Sequence, residues 1–117
     1  MTPASIPQLR PSELDAWLAA TGSPAPVVLD VREPWELQTA SVQPAPGFRV
    51  VAVPMNEIPG RLAELDPATP VACLCHHGAR SQRVAVFLAQ QEFEQVANIA
   101  GGIDAWSIER DAAVPRY

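Results

Sequence analysis

The side chain best suited to chemistry in this sequence is the thiol of Cys75, which ends an apolar run. It begins a loop that consists of Cys75, His76, His77, Gly78, Ala79, Arg80 and Ser81. At the carboxyl end of a parallel strand, where open sheets bind ligands, successive backbone N–H groups can form a cradle for an anion. Helix N-termini and cationic neighbours favour a thiolate. We therefore predict Cys75 as a nucleophile that needs no general base, with Gly78 at a position of positive φ or close backbone approach.

Strand and helix patterns alternate along the chain and predict the elements that position this loop. Strands are predicted at 6–9, 27–31, 49–53, 70–75 and 96–99, and helices at 12–22 (capped by Ser12), 33–37, 55–65, 80–91 and 103–109. Short continuous apolar runs are typical of parallel strands that helices cover on both faces. The alternation therefore predicts an α/β fold with a parallel sheet between two helical layers.

Composition indicates one folded domain over residues 1–117. The 117 residues are 48% apolar and 18% charged, which is ordinary for a globular protein. A net charge of −5 argues against nucleic acid as a partner. The sequence shows no signal peptide and no apolar run long enough to cross a membrane, so we expect a cytoplasmic protein without a membrane partner.

The two cysteines, Cys73 and Cys75, are separated by one residue, which suits neither a disulfide framework nor a secreted miniprotein. We expect Cys73 to be a core residue without a chemical role. Both thiols together with His76 and His77 are the right ligand types for zinc, but adjacent loop residues do not easily converge on one tetrahedron. We therefore predict no metal and no cofactor, and expect the two histidines to be exposed.

Three separated motifs resemble the rhodanese-like family of sulfurtransferases. The loop at 75–81 is similar to the family's C-x-x-G-x-R-S, residues 29–36 (LDVREPWE) to D-V-R-E-P-x-E, and residues 101–106 (GGIDAW) to G-G-x-x-A-W. The resemblance extends over about residues 6–110. It implies a single rhodanese-like domain with a five-stranded parallel sheet flanked by helices on both faces.

The resemblance also implies roles for the loop residues. Cys75 would attack the outer sulfur of thiosulfate or a persulfide donor and become a persulfide. The amides of residues 76–81 would bind the charged sulfur, with Arg80 adding positive charge and Ser81 a hydroxyl donor. A thiol, cyanide or a protein acceptor would then remove the sulfur. Asp30 and Arg32 would brace the loop, with Glu36 as a partner of Arg32.

Two other functions stay open on the sequence alone. One is a non-catalytic rhodanese-like module that binds a partner. The other is a cysteine phosphatase or arsenate reductase, whose loops are C-x5-R, whereas Cys75 to Arg80 is C-x4-R and makes a smaller ring.

Two segments depart from the family pattern. Residues 38–50 lack the usual G-H-I-x-G-A stretch, so the specificity for the acceptor is open there. Glu92 occupies a position where a left-handed glycine is common, and we expect backbone strain of about 1 kcal/mol if it adopts that conformation.

Overall fold

The computed structural model describes residues 5–117. Within this range the chain forms five strands and four α-helices, and each predicted strand lies within two residues of an observed one. In chain order these are β1 (Gln8–Leu9), α1 (Leu14–Thr21), β2 (Val27–Asp30), α2 (Pro34–Thr39), β3 (Arg49–Ala52), β4 (Val71–Leu74), α3 (Ala79–Gln90), β5 (Val96–Ile99) and α4 (Gly102–Glu109). No helix in the described range is long and apolar enough to cross a bilayer.

All five strands are parallel, in the order β1-β5-β4-β2-β3. The predicted α/β architecture is therefore confirmed. β2, β4 and β5 are buried at every position, because helices cover both faces of the sheet. In the central pairings Leu29 lies opposite Cys73, and Cys73 lies opposite Asn98. The carboxyl ends of these three strands therefore meet at one edge of the sheet.

The core has two layers, one on each face. The first packs β-strand residues such as Leu29 and Cys73 against Val84 and Leu88 of α3. The second, on the opposite face, packs Leu14 of α1 and Trp106 of α4, among others. The atypical segment 38–50 joins this second layer through three buried residues, Ala40, Val42 and Phe48.

Two predicted helices differ from the observed structure. α1 begins at Leu14 after a 3₁₀ turn at Pro11–Glu13, and the Ser12 hydroxyl lies 3.2 Å from a Glu109 carboxylate oxygen instead of capping the helix. The predicted helix at 55–65 is two 3₁₀ segments, Met55–Glu57 and Pro59–Glu64. Pro59 lacks an N–H and clashes with the preceding turn, so one continuous α-helix cannot form there.

The predicted left-handed residue after α3 is confirmed, because Glu92 has φ 66°. We expect Glu92→Gly to raise the free energy of unfolding by about 0.5–1 kcal/mol, since glycine relieves the left-handed strain but adds unfolded-state entropy. Urea denaturation measures this. Glu94→Gly, at an exposed position without positive φ, is the control and should be destabilising. Equal effects of the two substitutions would contradict the prediction.

Candidate active site

Cys75 follows the last residue of β4 and is 1% exposed. The backbone N–H of Gly78 donates a hydrogen bond to its Sγ at 3.0 Å. Gly78 has φ 108° and precedes α3, so the chain turns back over the sulfur at a glycine, as the sequence predicted. The thiol therefore lies under the loop, at the start of the helix that follows it.

The loop is anchored from below by the N-terminus of α4. The amide of Ile103 donates to the Cys75 carbonyl at 2.9 Å, and the amide of Asp104 donates to the His76 carbonyl at 3.2 Å. Gly102 has φ 58°, and a Cβ there would overlap both carbonyl groups. The glycine motif at 101–102 thus allows a helix end to support the Cys75 loop directly.

Ser81 is fully buried, and its Oγ lies 3.2 Å from the Cys75 Sγ. The same oxygen is 2.5 Å from Oδ1 of Asn98 in β5. Asn98 is 2% exposed and was not predicted as a site residue. The available signal was an amide side chain in an otherwise apolar strand, since a buried polar group needs hydrogen-bond partners.

Glu36 is a partner of Arg32, as predicted, but through its backbone carbonyl, because its carboxylate pairs with Arg80. Both Oε atoms of Glu36 accept hydrogen bonds at 2.7 Å from the two Nη groups of Arg80. Arg32 instead pairs with Asp30, with Nη2 2.7 Å from Oδ2, and it reaches only the backbone carbonyl of Glu36. Asp30 is the last residue of β2 and Arg32 follows it by two positions, whereas the Glu36 carboxylate faces Arg80 of the loop.

This pairing directs the charge of Arg80. Its guanidinium is held by Glu36 and makes no described hydrogen bond to the Cys75 sulfur. The hydrogen bond to Glu36 also raises the pKa of Arg80. Arg80 is therefore a fixed positive charge beside the loop.

Tyr117, a second residue that sequence reasoning missed, covers one side of the loop. Its ring stacks on His76 at 3.8 Å between centroids, and Trp35 meets it edge-on at 6.3 Å. Its hydroxyl donates to Glu36 Oε1 at 2.9 Å and accepts from Arg32 Nη1 at 3.0 Å. His76 is consequently half-buried and not exposed as predicted.

The remaining loop residues lie at the surface. His77 is exposed, as predicted, and Ala79 is exposed but belongs to the first turn of α3 instead of the loop. Trp35 is 62% exposed and flanks the site through Tyr117. Together with Tyr117 and His76, Trp35 and His77 form a series of ring contacts beside the loop.

The family model described as "Rhodanese-like domain" matches residues 10–109, most of the chain. The chain belongs to the rhodanese-like domain family. Within this rhodanese-like domain, the three motifs noted in the sequence lie together at the carboxyl edge of the sheet.

Similar proteins share this domain in different contexts. The chain is 39% identical to "Rhodanese-like/PpiC domain-containing protein 12, chloroplastic" of Arabidopsis thaliana over 77% of this chain, but spans only 30% of that protein. It is 33% identical to a protein named "Sulfurtransferase" of Allochromatium vinosum, over 69% of this chain and 71% of the relative.

Solved structures agree on the fold. A rhodanese-like domain protein of Staphylococcus aureus matches with a TM-score of 0.73 at 22% identity, covering 96% of this chain and 99% of that one. The polysulfide-sulfur transferase homodimer of Wolinella succinogenes matches with a TM-score of 0.65 at 29% identity, and the match covers 89% of this chain and 74% of that one.

Cys73 of the rhodanese-like domain is fully buried in the first core layer. Desolvation raises the pKa of its thiol, so it stays neutral. No group of three or more His, Cys, Asp or Glu side chains in residues 5–117 is arranged to hold a metal ion.

Acid should weaken this rhodanese-like domain through Glu36. The hydrogen bonds from Arg80 lower the pKa of Glu36 from 4.5 to about 2, against an opposing desolvation effect. A carboxyl group whose pKa is lower in the folded protein than in the unfolded chain stabilises the fold. That stability is fully present above the unfolded-state pKa and is lost as the pH falls through the folded-state pKa. We expect a loss of roughly 3 kcal/mol between about pH 4.5 and pH 2.

Urea denaturation at a series of pH values measures this loss. The decline should be much shallower in Glu36→Gln, which has no carboxyl to protonate. The control Glu94→Gln, at an exposed position, should follow the wild-type curve. A wild-type decline that persists unchanged in Glu36→Gln would contradict the assignment.

Proposed function

We propose that this domain is a sulfurtransferase that moves sulfane sulfur from thiosulfate or a persulfide donor to a thiophilic acceptor through a Cys75 persulfide. The observation that supports this most is the Gly78 N–H placed 3.0 Å from a buried thiol at the end of β4. The names of relatives, among them a sulfurtransferase and a polysulfide-sulfur transferase, support the same chemistry.

The proposed reaction has two halves. The Cys75 thiolate attacks the outer sulfur of thiosulfate, a new S–S bond forms, and the old S–S bond breaks so that sulfite leaves with its electron pair. An acceptor nucleophile such as cyanide or a thiolate then attacks the outer sulfur of the persulfide. That bond breaks and returns the electron pair to Cys75, which gives ping-pong kinetics.

The loop supplies binding for the charged outer sulfur. Its backbone N–H groups at 76–81 are the proposed donors, since preorganised amides stabilise charge without reorganisation. Arg80, held by Glu36, contributes a positive charge at a fixed position. Because its guanidinium already binds a carboxylate in two places, it is poorly placed to bind a phosphate in the same way, which disfavours a phosphatase.

Intact-protein mass spectrometry tests the proposal. Incubation with thiosulfate or polysulfide should add the mass of one sulfur atom, and cyanide or dithiothreitol should remove it. Cys75→Ala should gain nothing, whereas the matched variant Cys73→Ala should gain the same mass as the wild type. If the wild-type mass stays constant with every sulfane donor, or if Cys75→Ala is still loaded, the proposal is wrong.

A further inference from the structure

The side-chain amide of Asn98 has a defined orientation beside the nucleophile loop. Its Nδ2 donates to the backbone carbonyl of Gly78 at 3.2 Å and to Oε1 of Gln8 at 2.8 Å. A backbone carbonyl can only accept a hydrogen bond, so the atom facing Gly78 is the NH₂ group. The other atom, Oδ1, therefore faces Ser81.

Gln8 fixes the same orientation independently. Its Nε2 donates to the backbone carbonyl of Ile6 at 3.2 Å and to Oε1 of Gln82 at 2.5 Å. The Gln8 oxygen must then be the atom that faces Asn98, and it needs a donor there. Two separate carbonyl contacts thus agree that Asn98 presents an acceptor to Ser81.

Ser81 has a single hydroxyl proton and two neighbours that could receive it. Its Oγ is 2.5 Å from the Asn98 oxygen and 3.2 Å from the Cys75 sulfur. Two oxygens at 2.5 Å would repel each other unless a proton lay between them. The Asn98 oxygen carries no proton, so the proton must come from Ser81. The hydroxyl proton therefore lies toward Asn98, and a lone pair of Ser81 faces the sulfur.

We propose that Asn98 is a positioning residue that turns the Ser81 proton away from Cys75 and thereby favours the neutral thiol over the thiolate in the resting protein. The sulfur then has one donor, the Gly78 N–H, and one acceptor, the Ser81 oxygen. A thiol satisfies both: it accepts from Gly78 and donates its S–H to Ser81. A thiolate would face a lone pair.

A further consequence rests on the proposed function. In a persulfide the negative charge is on the outer sulfur, and the inner sulfur carries neither proton nor full charge. The Ser81 lone pair therefore opposes the free thiolate more than the loaded form. Asn98 would then favour retention of the transferred sulfur on Cys75.

Other ionisable groups surround the Cys75 thiol, and they are the same in the protein with Asn98 and in the Asn98→Ala variant. Arg80 carries a positive charge beside the loop, and Cys73 lies in the same core layer as Cys75. The elements packed around the loop also carry Asp30 and Arg32 at the end of β2, Glu36 on α2, His76 and His77 in the loop, Asp104 on α4, and Tyr117. None of these is changed by substitution of Asn98, so a shift can be assigned to the Ser81 proton.

The pH dependence of alkylation by iodoacetamide tests the proposal in a Cys73→Ala background, where one thiol remains. In Asn98→Ala the Ser81 proton is free to donate to the thiolate, so the midpoint of the rate profile should fall by about 1 pH unit. With Ser81→Ala also present, Asn98→Ala should no longer shift the midpoint. Circular dichroism establishes that each variant is folded.

A folded Asn98→Ala protein whose midpoint is unchanged or higher would overturn the proposal. So would a shift of the same size in the Ser81→Ala background. Alkylation is independent of sulfane donors, so these results do not depend on whether Cys75 forms a persulfide.

A measurement on the unaltered asparagine covers the case in which Asn98→Ala does not fold. The Raman S–H stretching band of Cys75, identified by its loss in Cys75→Ala, moves to lower wavenumber when the thiol donates a hydrogen bond. We expect the band below that of a free thiol, and a rise in Ser81→Ala. A band at the free-thiol position, or none at neutral pH, would overturn the proposal.

Discussion

Arg32→Met is expected to lower the free energy of unfolding by about 3–5 kcal/mol, the usual cost of removing one partner of a buried ion pair. Arg32 is 0% exposed, and its guanidinium donates to both Asp30 oxygens. It also donates to the backbone carbonyls of Glu36 and Ala40 and to the Tyr117 hydroxyl. Methionine fills similar space but leaves the Asp30 carboxylate buried without its counter-ion.

Urea denaturation measures this effect, and two variants define its origin. Arg49→Met, at an exposed position on β3, should change stability by less than about 0.5 kcal/mol. Arg32→Lys should recover only part of the loss, because an ammonium group cannot reproduce the planar set of donors. A loss below about 1 kcal/mol in Arg32→Met would show that the buried pair contributes little to stability.

Gly102→Ala should lower the rate of persulfide formation by about 10²-fold, the effect expected when a reacting group is displaced by about 1 Å. The new Cβ would meet the carbonyl groups of Cys75 and His76, which are backbone atoms and cannot rotate away. The φ of 58° adds about 1–2 kcal/mol of left-handed strain. Helix α4 and the Cys75 loop must therefore separate.

Gly60→Ala is the matched control. Gly60 has no positive φ, and a Cβ there would meet no atom within 4 Å, so this variant should load sulfur at the wild-type rate and lose no stability. Single-turnover loading followed by mass spectrometry gives the rates. Equal rates in the two alanine variants would mean that the contact between α4 and the loop does not position Cys75.

The sequence was most informative where the determinants are local. The strands are short apolar runs bounded by prolines and glycines, and the Cys75 loop lies between one such run and an amphipathic helix. Gly78 and Gly102 both have positive φ, a property that follows from the residue type in a turn. For these reasons the fold and the position of Cys75 were predicted from the sequence.

The partners of the site residues were harder to predict because they lie far apart in the chain. Glu36 binds Arg80, 44 residues away, and Tyr117, 81 residues away. Asn98 reaches Ser81 only because β5 pairs with β4. Such contacts depend on how elements pack, and the spacing of residues along one strand or helix does not encode them.

Cys73 and Cys75 lie in the same core layer, two positions apart, which affects how the protein withstands oxidants. Alternate residues along a strand are about 6.6 Å apart with parallel side chains, whereas a disulfide needs Cβ atoms about 3.5–4.5 Å apart. Cys73 is the other cysteine of the 117 residues, so a sulfenic acid at Cys75 has no resolving thiol among them. Repair of an oxidised Cys75 therefore depends on a thiol outside these residues.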